Sequence, residues 1–278
     1  MKKSCFALIA AALASPCVAD AVKNTVSAVR LPEWHLDKSR LAETGLTVTS
    51  LDKLSRAERA DVVRLYLRGI HDSLNGRLFR LPNLRELDIS ENGLPQVPAS
   101  VFKLESLRRL WLVRNPIENL PADIAKLKAL VYLNLDGTAV AQLPDALGEL
   151  RELRFLRVND TPVASLPESL RGLSNMRRLY ARNTKLRAVP PVLASWQSLE
   201  DIAFDGTAVA EIPVWLVNLP NLKRVSFSGC KHLKYLPRDL RGWRKLQVLD
   251  VSDTPLADDV DEQRRIRAEL GYNVTILF

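Results

Sequence analysis

LRRLWLVRNPIENLPADIAKL, residues 107–127, is the frame on which the chain is built. Apolar residues stand at Leu107, Leu110, Leu112, Ile117, Leu120, Ile124 and Leu127, with Asn115 between the third and fourth and Pro121 after the fifth. The frame starts again at Leu130, Leu153, Met176, Leu199 and Leu222, and once earlier at Leu84, which gives a period of 23 residues. A last frame at Leu246 comes one residue late, because Lys231 or His232 lengthens the loop after Cys230. The Leu-x-x-Leu-x-Leu segment of each unit alternates apolar and variable positions, the signature of a strand with one buried face. Successive strands are predicted to be parallel and about 4.8 Å apart, so nine of them make a sheet roughly 40 Å long.

The second half of each unit opens on an apolar-Pro pair: Val97-Pro98, Leu120-Pro121, Leu143-Pro144, Leu166-Pro167, Val189-Pro190, Ile212-Pro213 and Leu236-Pro237. Proline at a first helical position lacks only a donor that would be unpaired anyway, so each pair predicts a short helix or 3₁₀ turn that begins on its proline. One polar position passes from Asn92 and Asn115 to Thr138, Thr161, Thr184, Thr207, Cys230 and Thr254. An unpaired buried amide costs about 1 to 3 kcal/mol, so these side chains are predicted to bind backbone groups of neighbouring turns rather than to form a catalytic row.

A repeat of this length and spacing resembles the leucine-rich repeat family, whose units stack into a curved solenoid. The resemblance covers residues 62–256 and implies an α/β solenoid, with a parallel concave sheet and short helices or 3₁₀ turns on the convex side. The Leu-Pro form resembles plant-type intracellular repeat proteins and the repeat domains of secreted bacterial effectors. Effectors of that kind with ubiquitin-ligase activity carry a separate catalytic domain with a reactive Cys-x-Asp element, which Cys230-Lys231-His232 does not match.

Outside the repeats, residues 1–19 place Lys2 and Lys3 before an apolar run from Cys5 to Ala14, with Ala19 as a cleavage position. This reads as a secretory signal peptide and predicts a periplasmic or extracellular protein. The run is too short for the roughly twenty residues of a spanning helix, so no integral membrane span is expected. Residues 20–61 read as an N-terminal cap in which Ser55 and Glu58 fit a capping box, and Val62, Leu65, Leu67 and Ile70 as a first worn unit. Residues 257–278 read as a C-terminal cap, with a helix opened by Asp258, Asp259, Asp261 and Glu262 and ended by Gly271, then a strand from Asn273 to Phe278.

Composition narrows the function classes. The 278 residues are 47% hydrophobic, and the net charge of +8 is spread over 40 basic and 32 acidic residues without a like-charge block. Nucleic acid is therefore disfavoured as a partner. Cys5, Cys17 and Cys230 give no disulfide framework, and His35, His71 and His232 stand apart without metal-ligand spacing. A phosphate-binding glycine loop and a serine nucleophile elbow are both absent, so no enzyme activity, cofactor or metal is expected.

The residues that flank the strand leucines are predicted to project from the concave face in three columns. The first runs Arg64, Glu86, Arg109, Tyr132, Phe155, Arg178, Asp201, Arg224, Val248; the second runs Tyr66, Asp88, Trp111, Asn134, Arg157, Tyr180, Ala203, Ser226, Asp250. The third runs Arg68, Ser90, Val113, Asp136, Asn159, Arg182, Asp205, Ser228, Ser252. Arg109, Trp111, Tyr132, Phe155, Arg157, Arg178, Tyr180 and Arg182 thus gather on four adjoining strands, in a patch roughly 15 Å across. Aromatic and arginine residues dominate binding hot spots, so the patch predicts non-enzymatic recognition of a protein, with an acidic or mixed-charge segment as its target. The alternatives are an anionic glycan, phospholipid or nucleic acid held by the same arginines, or an effector delivered into a host cell with its N-terminal segment uncleaved.

Overall fold

The computed structural model describes residues 46–49, 56–69 and 81–278. The signal segment, most of the N-terminal cap region, Ser55, Ile70, His35, His71, Cys5 and Cys17 lie outside them. The described strands are β1 (Leu46–Val48), β2 (Val62–Tyr66), β3 (Glu86–Asp88), β4 (Arg109–Trp111), β5 (Tyr132–Asn134) and β6 (Phe155–Arg157). They continue with β7 (Arg178–Tyr180), β8 (Asp201–Ala203), β9 (Arg224–Ser226), β10 (Val248–Asp250) and β11 (Thr275–Leu277). All eleven form one open parallel sheet in chain order. The nine expected repeat strands are β2–β10, and the strand expected after Asn273 is β11. Strand β1 was not expected, because Leu-Thr-Val is too short to show a period, and only its pairing with β2 defines it.

One continuous apolar core runs the length of the stack, built from the frame leucines and their equivalents. Behind the sheet the chain turns through 3₁₀ helices at Val101–Lys103, Ala122–Lys126, Asp145–Glu149, Glu168–Gly172 and Pro191–Ser195. A single α-helical turn, Val214–Val217, replaces the next one. The prolines differ from expectation. Pro121, Pro144, Pro167, Pro190 and Pro213 are extended and stand just before the helix, not at its first position. Their carbonyls accept the first helical hydrogen bonds, from Ile124, Leu147, Leu170, Leu193 and Leu216, at 2.9–3.1 Å. The fixed φ of proline suits extended backbone as well as helix, and the chain needs an extended residue here to descend from the sheet.

The polar ladder also divides in a way the residue types alone did not show. Asn115 reaches the preceding unit: its amide donates to the carbonyls of Ile89 and Leu112, both at 3.0 Å, and its oxygen accepts from the Asn92 and Leu94 amides. The threonines bond within their own turn instead, Thr138 to the Leu135 carbonyl, Thr161 to Val158, Thr184 to Ala181 and Thr207 to Phe204. An amide has two donors and an acceptor and so serves two units at once, whereas a hydroxyl has a single donor, spent here on its own turn, although Thr207 also meets the Cys230 sulfur of the next unit at 3.4 Å.

Just past the third column every unit has a residue in the left-handed region: Gly69, Glu91, Arg114, Gly137, Asp160, Asn183, Gly206, Gly229 and Asp253, with φ between 52° and 70°. Arg114, at φ 53°, carries a long side chain where glycine is preferred, and it pairs with Glu91 at 3.1 Å in solvent. The left-handed conformation costs an L-residue about 1–2 kcal/mol, and the exposed pair offsets at most about 1 kcal/mol of this. Arg114→Gly is therefore expected to raise the denaturation midpoint slightly and Arg114→Val to lower it. Urea titrations of both variants check this, and a fall with glycine would refute it.

On the back of the stack the 3₁₀ helices of two consecutive units meet through glycine. A Cβ built on Gly148 would stand 2.6 Å from the Ser169 carbonyl carbon and closer still to its oxygen, and one on Gly172 would stand 2.7 Å from the Gly148 carbonyl oxygen. The last unit lacks such a helix after Pro237. There the C-terminal helix, Val260–Leu270, satisfies the backbone with side chains: Glu262 accepts from the Leu236 amide, Glu269 from the Leu240 amide, and Arg265 donates to the Leu236 and Arg238 carbonyls. Asp259 caps this helix by accepting from the Asp261 and Glu262 amides, and Gly271 ends it at φ 71°.

Candidate functional site

The strand register places the predicted columns side by side. Arg64, Glu86, Arg109, Tyr132, Phe155, Arg178, Asp201, Arg224 and Val248 are successive Cα partners, and so are the members of the second column. The third column follows two residues beyond the strand ends. All eight predicted site residues therefore fall on β4–β7 or, for Arg182, just past β7.

Their rings form a continuous strip. Trp111 and Tyr132 have centroids 5.1 Å apart, and Tyr132 and Phe155 6.2 Å apart. Tyr66 extends the strip at 6.4 Å from Trp111, two strands beyond the expected patch. Its place in the second column, two units before Trp111, was the signal for it. The Arg178 guanidinium lies over Phe155 at 5.2 Å, and Arg157 and Arg182 lie over Tyr180 at 5.4 and 5.8 Å.

Carboxylates of neighbouring units hold these arginines. Arg109 pairs with Glu86 at 2.5 Å, Arg157 with Asp136 at 2.5 Å, Arg178 with Asp201 at 2.9 Å and Arg182 with Asp205 at 2.6 Å. The first column consequently repeats one device at both ends of its aromatic pair. Glu86 sits between Arg64 and Arg109, and Asp201 between Arg178 and Arg224, with Tyr132 and Phe155 in the middle. Tyr66 also donates its hydroxyl to Glu86 at 2.7 Å.

The expected projection into solvent needs correction. Trp111, Tyr132 and Arg157 are only 7%, 6% and 9% exposed, and Arg109, Phe155, Arg178, Tyr180 and Arg182 are half-buried. The rings lie on one another and the arginines fold down onto acids, so the face is a packed second layer above the sheet. Burial raises the Asp205 carboxyl pKa despite the opposing Arg182 charge, and pushes the Tyr132 phenol up to about 12. That phenol stays protonated at neutral pH.

Cys230, in the turn after β9, is fully buried, with its thiol donating to the Phe204 carbonyl at 3.2 Å. Burial raises its pKa, so the reactive thiolate is suppressed in the folded chain. Peptide mapping after alkylation at pH 8 is expected to find Cys230 unmodified in the native protein and modified in urea. Native labelling would contradict this placement. His232 is exposed in the turn that follows, and among the described residues no group of three His, Cys, Asp or Glu side chains is arranged to hold a metal ion.

A fold of stacked strand-and-turn units with a polar ladder and a broad sheet face defines a repeat scaffold of the leucine-rich type. The chain belongs to the leucine-rich repeat family: a leucine-rich repeat region profile matches residues 122–252, and a leucine rich repeat profile matches residues 82–140. No curated protein sequence matches the chain. Among solved structures it is similar to a leucine-rich repeat protein of Leptospira interrogans, with 20% identity over 84% of this chain and 70% of that one and a TM-score of 0.51. It is similar to the functional domain of InlJ from Listeria monocytogenes, which includes a cysteine ladder, with 18% identity, 84% and 46% coverage and a TM-score of 0.61. It is also similar to the leucine-rich repeat domain of the type III effector XopL, with 21% identity, 68% and 74% coverage and a TM-score of 0.56. The chain thus spans less than half of the InlJ chain. Domains of this family are generally protein-interaction modules, and among the described residues no helix is long and apolar enough to cross a membrane.

Proposed function

We propose that the chain is a non-enzymatic recognition module that binds a protein through the sheet face, at Arg109, Trp111, Tyr132, Phe155, Arg157, Arg178, Tyr180 and Arg182. The supporting observation is preorganisation. Each ring is fixed by its neighbours, and four arginines are fixed by carboxylates, so little side-chain freedom is left to lose when a partner docks. A protein fits better than a nucleic acid or glycan, because the ring faces that would stack on a base or sugar already lie against other rings and guanidinium groups. The N-terminal residues 1–19 further support export, and an intact mass lacking them would test it.

Trp111 and Arg178 are poor choices for mutation, since one is buried and the other neutralises the buried Asp201. Phe155 and Tyr180 are half-buried and neutralise no carboxylate. A Phe155→Ala/Tyr180→Ala bait that melts within a few degrees of wild type is expected to lose the protein that wild type captures from native extract. Capture of the same protein by both baits would sink the site assignment.

A further inference from the structure

The sheet face is electrically polarised across its strands. The residue before each first-column position forms a column of its own, joined by hydrogen bonds: Arg108 N–H to the Arg85 carbonyl at 2.7 Å, Val131 to Arg108, Arg154 to Val131 and Arg177 to Arg154 at 2.8–2.9 Å. Glu200 and Lys223 continue it. Together with the first column, this strand-entry half of the face holds nine basic residues and three acidic ones. The opposite half, made of the third column and the left-handed residues beside it, holds three basic and five acidic. Glu86, Asp201 and Glu200, the acids on the basic side, are each already paired with two cations. Among the described residues Arg154 has no ion pair, and Arg177 reaches Glu200 only at 3.7 Å, with its side chain 48% exposed.

Resting on the protein-recognition reading above, we infer that the strand-entry rim led by Arg154 and Arg177 docks the acidic edge of an extended polypeptide. An apolar side chain of that segment sits against Val131 and Phe155. Phe155 stands next to Arg154 in the chain, and Val131 is the one uncharged position between Arg108 and Arg154 in the rim. Cationic groups therefore flank an apolar step at intervals of about 4.8 Å, the strand spacing. A segment with acids on both sides of an aromatic or aliphatic residue complements that order. Charge complementarity of this kind acts most on the rate of association and weakens with salt.

The test is a fluorescence titration of the full chain with a labelled random copolymer of glutamate and tyrosine, with polyglutamate and heparin in parallel. The copolymer is expected to bind more tightly than polyglutamate. Arg154→Glu/Arg177→Glu should weaken it by about tenfold or more at low salt, and by much less near 0.5 M salt, where the Debye length is only about 4 Å. Asp160→Lys, on the opposite rim, should leave it unchanged or tighten it. Unchanged copolymer binding by the Arg154→Glu/Arg177→Glu variant overturns the rim assignment. If Phe155→Ala still loses binding in that case, recognition at the sheet face stands without the rim, and if neither variant loses it, both fall. Heparin bound more tightly than either polypeptide would make the rim an anionic-glycan site and overturn the polypeptide.

Discussion

Asn115→Ala is expected to destabilise the protein by about 3–5 kcal/mol, more than a surface-loop asparagine would suggest. The side chain is 1% exposed and makes four hydrogen bonds, with donors and acceptors in two consecutive units. Alanine would strand the amides of Asn92 and Leu94 and the carbonyls of Ile89 and Leu112. Each stranded buried group costs about 1–3 kcal/mol, partly relieved where water enters the small cavity. Thr161→Val provides the contrast. It keeps the shape and removes a single donor to the Val158 carbonyl, so about 1 kcal/mol is expected. Urea titrations of the two variants decide it, and equal shifts would show that the asparagine does not stitch units together.

Gly148→Ala should be comparably damaging for a different reason. The new methyl group would meet the backbone of Ser169, and a carbonyl fixed in the next 3₁₀ helix has no rotamer by which to withdraw. Overpacking of this kind typically costs about 1–3 kcal/mol, and the upper end applies where backbone must move. Gly206→Ala is a useful comparison, because its methyl would press mainly on the Asn183 side-chain oxygen, which can swing aside. Its cost is set by the left-handed φ of 66°, about 1–2 kcal/mol. A thermal melt that places Gly148→Ala no lower than wild type would show that the two turns are free to separate.

Much of this was legible in the sequence, because a repeat multiplies each weak signal. The leucine frame yielded nine strands in their register, and it put Trp111 beside Tyr132 and Phe155 beside Arg178 without any coordinates. What stayed hidden depended on distances between units. Periodicity says that Arg178 and Asp201 share a column, but not that the guanidinium folds down to bury the carboxylate. The sequence likewise suggested no difference between Asn115 and Thr161, since both are small polar residues at one position. Nothing in the sequence sets Gly148 apart, and the left-handed position is masked by Glu91 and Arg114, which stand where Gly137 and Gly206 stand in later units.

The exchange of asparagine for threonine has a mechanical consequence. In a stacked array, cooperativity rests on the coupling between neighbours. Where Asn92 and Asn115 cross from unit to unit, adjacent loops move as one body. From Thr138 to Thr184 the ladder side chains bond within their own loops, and the coupling passes to the backbone, from the Gly137 amide to the Asn159 carbonyl, Asp160 to Arg182 and Asn183 to Asp205 at 2.7–2.8 Å, while Gly148 and Gly172 let the back pack closely. The strip from Tyr132 to Tyr180 thus lies over units joined by main chain at the loop edge and by glycine contact at the back.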